Sequence, residues 1–132
     1  MERSTFRSCE DAKGFSGVSV ELTIKKSRFI AYVVDIKMLE SRLKELRKEH
    51  KKACHIAWAC RYNEDGVLKE KFSDDGEPSG TAGRPILNVL QKRDIEGVAI
   101  LVVRYFGGVK LGAGGLIRAY GKAASMALDE VV

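Results

Sequence analysis

Six consecutive apolar residues, Val98-Ala99-Ile100-Leu101-Val102-Val103, leave no polar position to turn toward water, which suits a strand buried at the centre of a sheet. The rest of the chain changes apolar period repeatedly, and each change marks an element. Val18, Val20, Leu22 and Ile24 alternate with polar residues, predicting a half-buried strand over 17–24. Lys25-Lys26-Ser27 separates it from a second strand, Arg28 to Asp35, apolar on both faces. Leu39, Leu43, Leu46 and His50 then recur at helical spacing, with Lys44, Arg47, Lys48 and Lys51 elsewhere on the surface. His50 falls at the end of that helix, where a partly cationic imidazole suits the dipole.

Cys54 to Tyr62 alternates again, with Cys54, Ile56, Trp58, Cys60 and Tyr62 on one face and His55, Ala57, Ala59 and Arg61 on the other. Asn63-Glu64-Asp65-Gly66 is a turn, returning as a hairpin strand over 67–72. A short helix carries Ile86, Val89 and Leu90, and a last helix carries Leu116, Tyr120, Ala123, Ala127 and Leu128. This interleaving predicts an α/β fold, an α+β two-layer sandwich with a mixed four- to five-stranded sheet and its helices on one face. The uncovered face is then a binding platform, on which His55 and Arg61 are expected.

The 132 residues fit one domain, 1–132, with a core large enough to need no disulfide or metal. Residues 1–13 mix polar and charged types without a period and read as a flexible lead. Cys9, Cys54 and Cys60 form no CxxC pair, and their odd number argues against a secreted disulfide framework. No apolar run reaches the roughly 20 residues of a membrane span, so the expected location is cytoplasmic. Lys and Arg total 23 against 18 Asp and Glu, a net charge of +5 that favours anionic partners or serves solvation alone.

Two loops carry the functional signal. Ser73-Asp74-Asp75-Gly76-Glu77-Pro78-Ser79-Gly80-Thr81-Ala82-Gly83-Arg84-Pro85 crowds carboxylates ahead of a helix. Ser79 or Thr81 is placed to cap that helix, and its start is also placed to receive an anion. Asp75 and Glu77 form a candidate acidic site, although the spacing matches no calcium loop and turn chemistry explains Asp-Gly equally well. Arg104 to Gly115 holds five glycines within nine residues, Gly107, Gly108, Gly112, Gly114 and Gly115, with Arg104, Lys110 and Arg118 around them. That composition suits an anion nest, or alternatively close packing of strand on helix. It is neither a Walker loop nor a dinucleotide fingerprint.

No recognised catalytic signature is present. Cys54 and His55, adjacent on a strand, point to opposite faces and resist a shared zinc ion. No metal and no cofactor is expected, and an enzyme is the minority reading. That reading would pair His55 with Asp75 or Glu77 to act on a phosphorylated or nucleotide-like substrate.

Lys26-Ser27-Arg28-Phe29-Ile30-Ala31, the acidic loop 73–83, and Val103-Arg104-Tyr105-Phe106-Gly107-Gly108-Val109-Lys110-Leu111-Gly112 resemble the signature segments of the YigZ/IMPACT family, from about 18 to 128. The resemblance implies a domain of the Impact N-terminal type, folded like the fourth domain of elongation factor G. Eukaryotic members regulate translation by competing for the activator of a starvation-responsive initiation-factor kinase. Bacterial members usually add a C-terminal ferredoxin-like domain, which the chain as read to Val132 does not contain. The expected function is therefore a translation-associated regulatory module meeting RNA, the ribosome or another anionic partner, or alternatively a translation-regulatory protein. The expected surface comprises His55, Arg61, Ser79, Gly80, Thr81, Arg84, Arg104, Tyr105, Gly107, Gly108, Lys110, Gly112, Gly115 and Arg118.

Overall fold

The computed structural model describes residues 2–10 and 16–131. Its strands are β1 (Glu2–Glu10), β2 (Ser16–Ile24), β3 (Ser27–Asp35), β4 (His55–Glu64), β5 (Val67–Ser73) and β6 (Val98–Tyr105). Its helices are α1 (Leu39–Glu49), α2 (Gly83–Lys92) and α3 (Gly112–Asp129). The α/β class is as expected. The strands form one six-stranded sheet in the order β1-β2-β3-β6-β4-β5. Every described pairing is antiparallel, where a mixed four- to five-stranded sheet was expected.

The sixth strand, β1, falls in the stretch expected to be a flexible lead. It pairs along β2 from Glu2 with Ile24 to Glu10 with Ser16. A strand held at an edge by its backbone ladder needs no apolar period, so its sequence gave no warning. Residues 1 and 11–13 of that lead lie outside the described residues.

The second correction concerns the layers. On one face, Phe29, Ala31 and Val33 of β3 and Ile100 and Val102 of β6 pack with Ile86, Leu87 and Leu90 of α2 and Leu116, Tyr120, Ala123 and Ala127 of α3. On the other, Ile30, Tyr32, Val34, Ala99, Leu101 and Val103 pack around Leu46 of α1. The helices are thus not all on one face, and the fold is not a simple two-layer sandwich. β3 and β6 are apolar on both sides and need cover on both. The turn Ile36–Met38, capped by the Asp35 carboxylate accepting from the Lys37 amide at 2.9 Å, steers α1 to the second face.

His55 and Arg61 accordingly do not lie on an open platform. Their strand-mates Ala57 and Ala59 are fully buried in the α2/α3 core. The face that reads as less apolar in sequence is the covered one, because small side chains let helices approach closely. Among the described residues no helix is long and apolar enough to cross a membrane.

Candidate nucleic-acid interface

The acidic loop is organised by a residue the sequence did not single out. Asp74 Oδ1 accepts from the amides of Ala82 at 3.1 Å and Gly83 at 2.8 Å, and Oδ2 accepts from Gly80 at 3.0 Å. A carboxylate thus occupies the amino end of α2, where an anion or a Ser79 or Thr81 cap was expected. Thr81, 3% exposed, instead donates its hydroxyl to the Pro78 carbonyl at 2.6 Å. Gly80 and Thr81 are therefore committed internally, while Ser79 and Arg84 stay exposed, with the Arg84 guanidinium over Phe72 at 5.8 Å. Asp75 is committed too. Its carboxylate accepts from the Ile56 amide at 2.7 Å, and its carbonyl meets His55 Nδ1 at 2.8 Å.

The two loops meet through a buried charge cluster. Arg104, on β6, stands opposite His55 of β4 and Phe29 of β3. Its guanidinium grips Glu77 through Nε to Oε2 at 2.5 Å and Nη2 to Oε1 at 2.9 Å. Tyr120 of α3 donates to Glu77 Oε2 at 2.5 Å, and His55 Nε2 lies 3.4 Å from Oε1. Burial on its own would raise the Glu77 carboxyl. Hydrogen bonds from Arg104 and Tyr120, with the charges of Arg104 and His55, outweigh that and hold it below the ordinary carboxylate range. Burial, with Glu77 as neighbour, pushes the Tyr120 hydroxyl far up, so it remains a donor.

Arg104 is thus a neutralised core residue, 8% exposed, rather than part of an open cationic surface. Tyr105 follows it on the opposite sheet face, bonded to His50 Nδ1 at 2.5 Å with Arg28 over its ring. Arg61, at the far end of β4, binds Glu70 and Asp94, each at 3.1 Å. Neither joins the glycine loop. His55 and Asp75 instead line a separate cavity of about 180 Å³ with Arg47, His50, Lys51 and Cys54.

What stays open is the glycine loop and the start of α3. Gly107 lies so close to Lys26 that a Cβ would overlap the Lys26 carbonyl, and its amide donates to Ser27 Oγ at 3.3 Å. Ser27 also faces Arg104 Nη1 at 3.4 Å, so the β2–β3 turn, the glycine loop and the charge cluster are joined. Among the described residues no side chain caps the amino end of α3. A cavity of about 150 Å³ there is lined, among the described residues, by Ile24, Lys25, Leu111, Gly115, Arg118 and Lys122. Gly108, Lys110, Gly112 and Arg118 are exposed along the same segment. Of the expected surface, the structure gathers Gly107, Gly108, Lys110, Gly112, Gly115 and Arg118 here, and adds Lys25, Lys26 and Lys122. The Lys25-Lys26 pair was legible as a turn, but only the hairpin brings it to the helix.

Residues 25–128 match the Impact N-terminal domain. The IMPACT family member YvyE of Bacillus subtilis is 45% identical over 114 residues, 84% of this chain and 52% of that protein. YigZ of Escherichia coli, also named an IMPACT family member, is 40% identical over 119 residues, 86% of this chain and 58% of that protein. The chain spans about half the length of these curated relatives. A crystal structure of a hypothetical protein superposes with a TM-score of 0.79 at 36% identity, over 98% of this chain and 62% of that one. The two-domain translational regulator Yih1 shares the fold, with a TM-score of 0.51 at 24% identity over 80% of this chain and 44% of its own.

Proposed function

The chain belongs to the Impact N-terminal domain family, and from that premise we propose that it is a translation-associated module that binds RNA, alone or in the ribosome. The observation that carries the reading is the exposed basic segment at the start of α3, where Lys25 and Arg118 line a cavity and Lys26 and Lys110 stand exposed nearby. Phosphates approached by such a cluster exchange condensed counterions for protein cations, which gives affinity without base specificity. The association with translation is supported by the name of the fold relative Yih1, a translational regulator.

Fluorescence anisotropy with a labelled oligouridine across a salt series tests this. Affinity should fall steeply with salt, and Lys25→Glu or Arg118→Glu should each weaken binding and flatten the log–log slope by about 0.7. Binding indifferent to salt and to both reversals would sink the reading.

A further inference from the structure

Resting on that RNA reading, we propose that the same rim selects single strands over duplexes, with Phe106 as the platform on which a base stacks. Three of the seven exposed large apolar side chains among the described residues, Phe106 (47%), Val109 (41%) and Ile117 (44%), belong to the glycine loop and the first turns of α3. Val109 and Ile117 directly precede the exposed cations Lys110 and Arg118. Water contact at an aromatic ring is a standing cost that a solely phosphate-binding surface would have no reason to keep.

The ring is also supported. The Arg104 guanidinium lies 5.7 Å from its centroid and is itself held by Glu77. Gly107 and Gly108 follow Phe106 without side chains that would crowd it, and Gly107 is pinned through its amide to Ser27. A half-exposed ring on a fixed base, in a loop that also exposes Lys110, matches how single-stranded nucleic acid is held. Bases stack on aromatic faces while the backbone tracks positive charge. A duplex stacks its base faces on one another and offers such a ring sugars, phosphates and base edges but no open base face along its length. An acidic protein segment would satisfy the cations but presents an aromatic face only where an aromatic residue happens to fall, whereas every nucleotide carries one.

The test compares an oligouridine of about 12 nucleotides with an RNA duplex of the same length, using wild type, Phe106→Ala, Phe106→Trp and Arg118→Glu. Wild type should prefer the single strand. Phe106→Ala should weaken single-strand binding roughly tenfold, leave duplex binding unchanged and preserve the salt slope, since no charge is lost. Phe106→Trp should restore the preference, and Arg118→Glu should weaken both ligands. Equal wild-type affinity for the two RNAs, or equal losses in Phe106→Ala, overturns the inference while the basic-rim reading stands. Failure of wild type to bind either RNA removes both. An unchanged urea midpoint for Phe106→Ala shows that the loop itself is intact.

Discussion

Glu77 illustrates how much one buried carboxylate can carry. Its side chain is 1% exposed, yet it is ionised against Arg104, Tyr120 and His55. Removing one partner from such a cluster strands the other charges in a medium that solvates them poorly, and that usually costs more than the intact pair contributed. Glu77→Gln is therefore expected to lose about 3 kcal/mol in urea denaturation. Tyr120→Phe, which keeps the ring's edge contact with Phe29 at 5.2 Å but loses the hydroxyl, should lose about 1.5–3 kcal/mol. The pH dependence has a definite sign. Because the folded-state pKa of Glu77 lies below the ordinary value of 4.5, the unfolded chain takes up the proton first as pH falls. Its stabilisation is whole above that value and is lost as pH drops through the depressed pKa. Glu77→Gln should flatten this acid limb in denaturation midpoints measured across pH, and a limb of unchanged steepness would contradict the assignment.

At the level of elements, two short segments owe their shape to contacts far away in sequence. The amino end of α2 is capped from eight and nine residues upstream by Asp74. Asp74→Ala should cost about 2 kcal/mol, and Asp74→Asn, which keeps one acceptor oxygen, less. The glycine loop depends on contact with the β2–β3 turn. Gly107→Ala would drive a methyl group into the Lys26 backbone, so it should lose about 1–3 kcal/mol in stability. It should also weaken RNA binding although every cation remains, and full affinity in that variant would detach the turn from the site. These dependences explain what the sequence could and could not disclose. Alternation along β4 and the helical spacing of Leu39, Leu43 and Leu46 were legible because they are local periods. The Asp74 cap was not, since a carboxylate bonding amides that far downstream has no fixed spacing. Arg104 read as an exposed cation because its neutralising partner, Glu77, lies 27 positions away.

For the whole molecule, the apolar run Val98 to Val103 suits a strand covered on both sheet faces, while the interleaving of strands and helices suggested helices on one. The structure resolves the conflict with α1, and the consequence is mechanical. One core gathers α2 and α3, the other gathers α1, and both are built on the same strands β3, β4 and β6. Neither can lose its sheet without the other, so the chain should unfold in a single step. Trp58, the only tryptophan, packs at the border of the α1-side core and reports on that half alone. Far-UV circular dichroism reports on all the helices. The two signals should trace one coincident urea transition in the wild type and also in Leu46→Ala, whose truncated side chain is fully buried under α1. That variant should lose about 3 kcal/mol with an unchanged denaturant slope. If its tryptophan transition moved ahead of the dichroism, α1 would be a separately melting flap. The shared sheet would then not couple the two halves, and the basic rim beside α3 would be insulated from changes under α1.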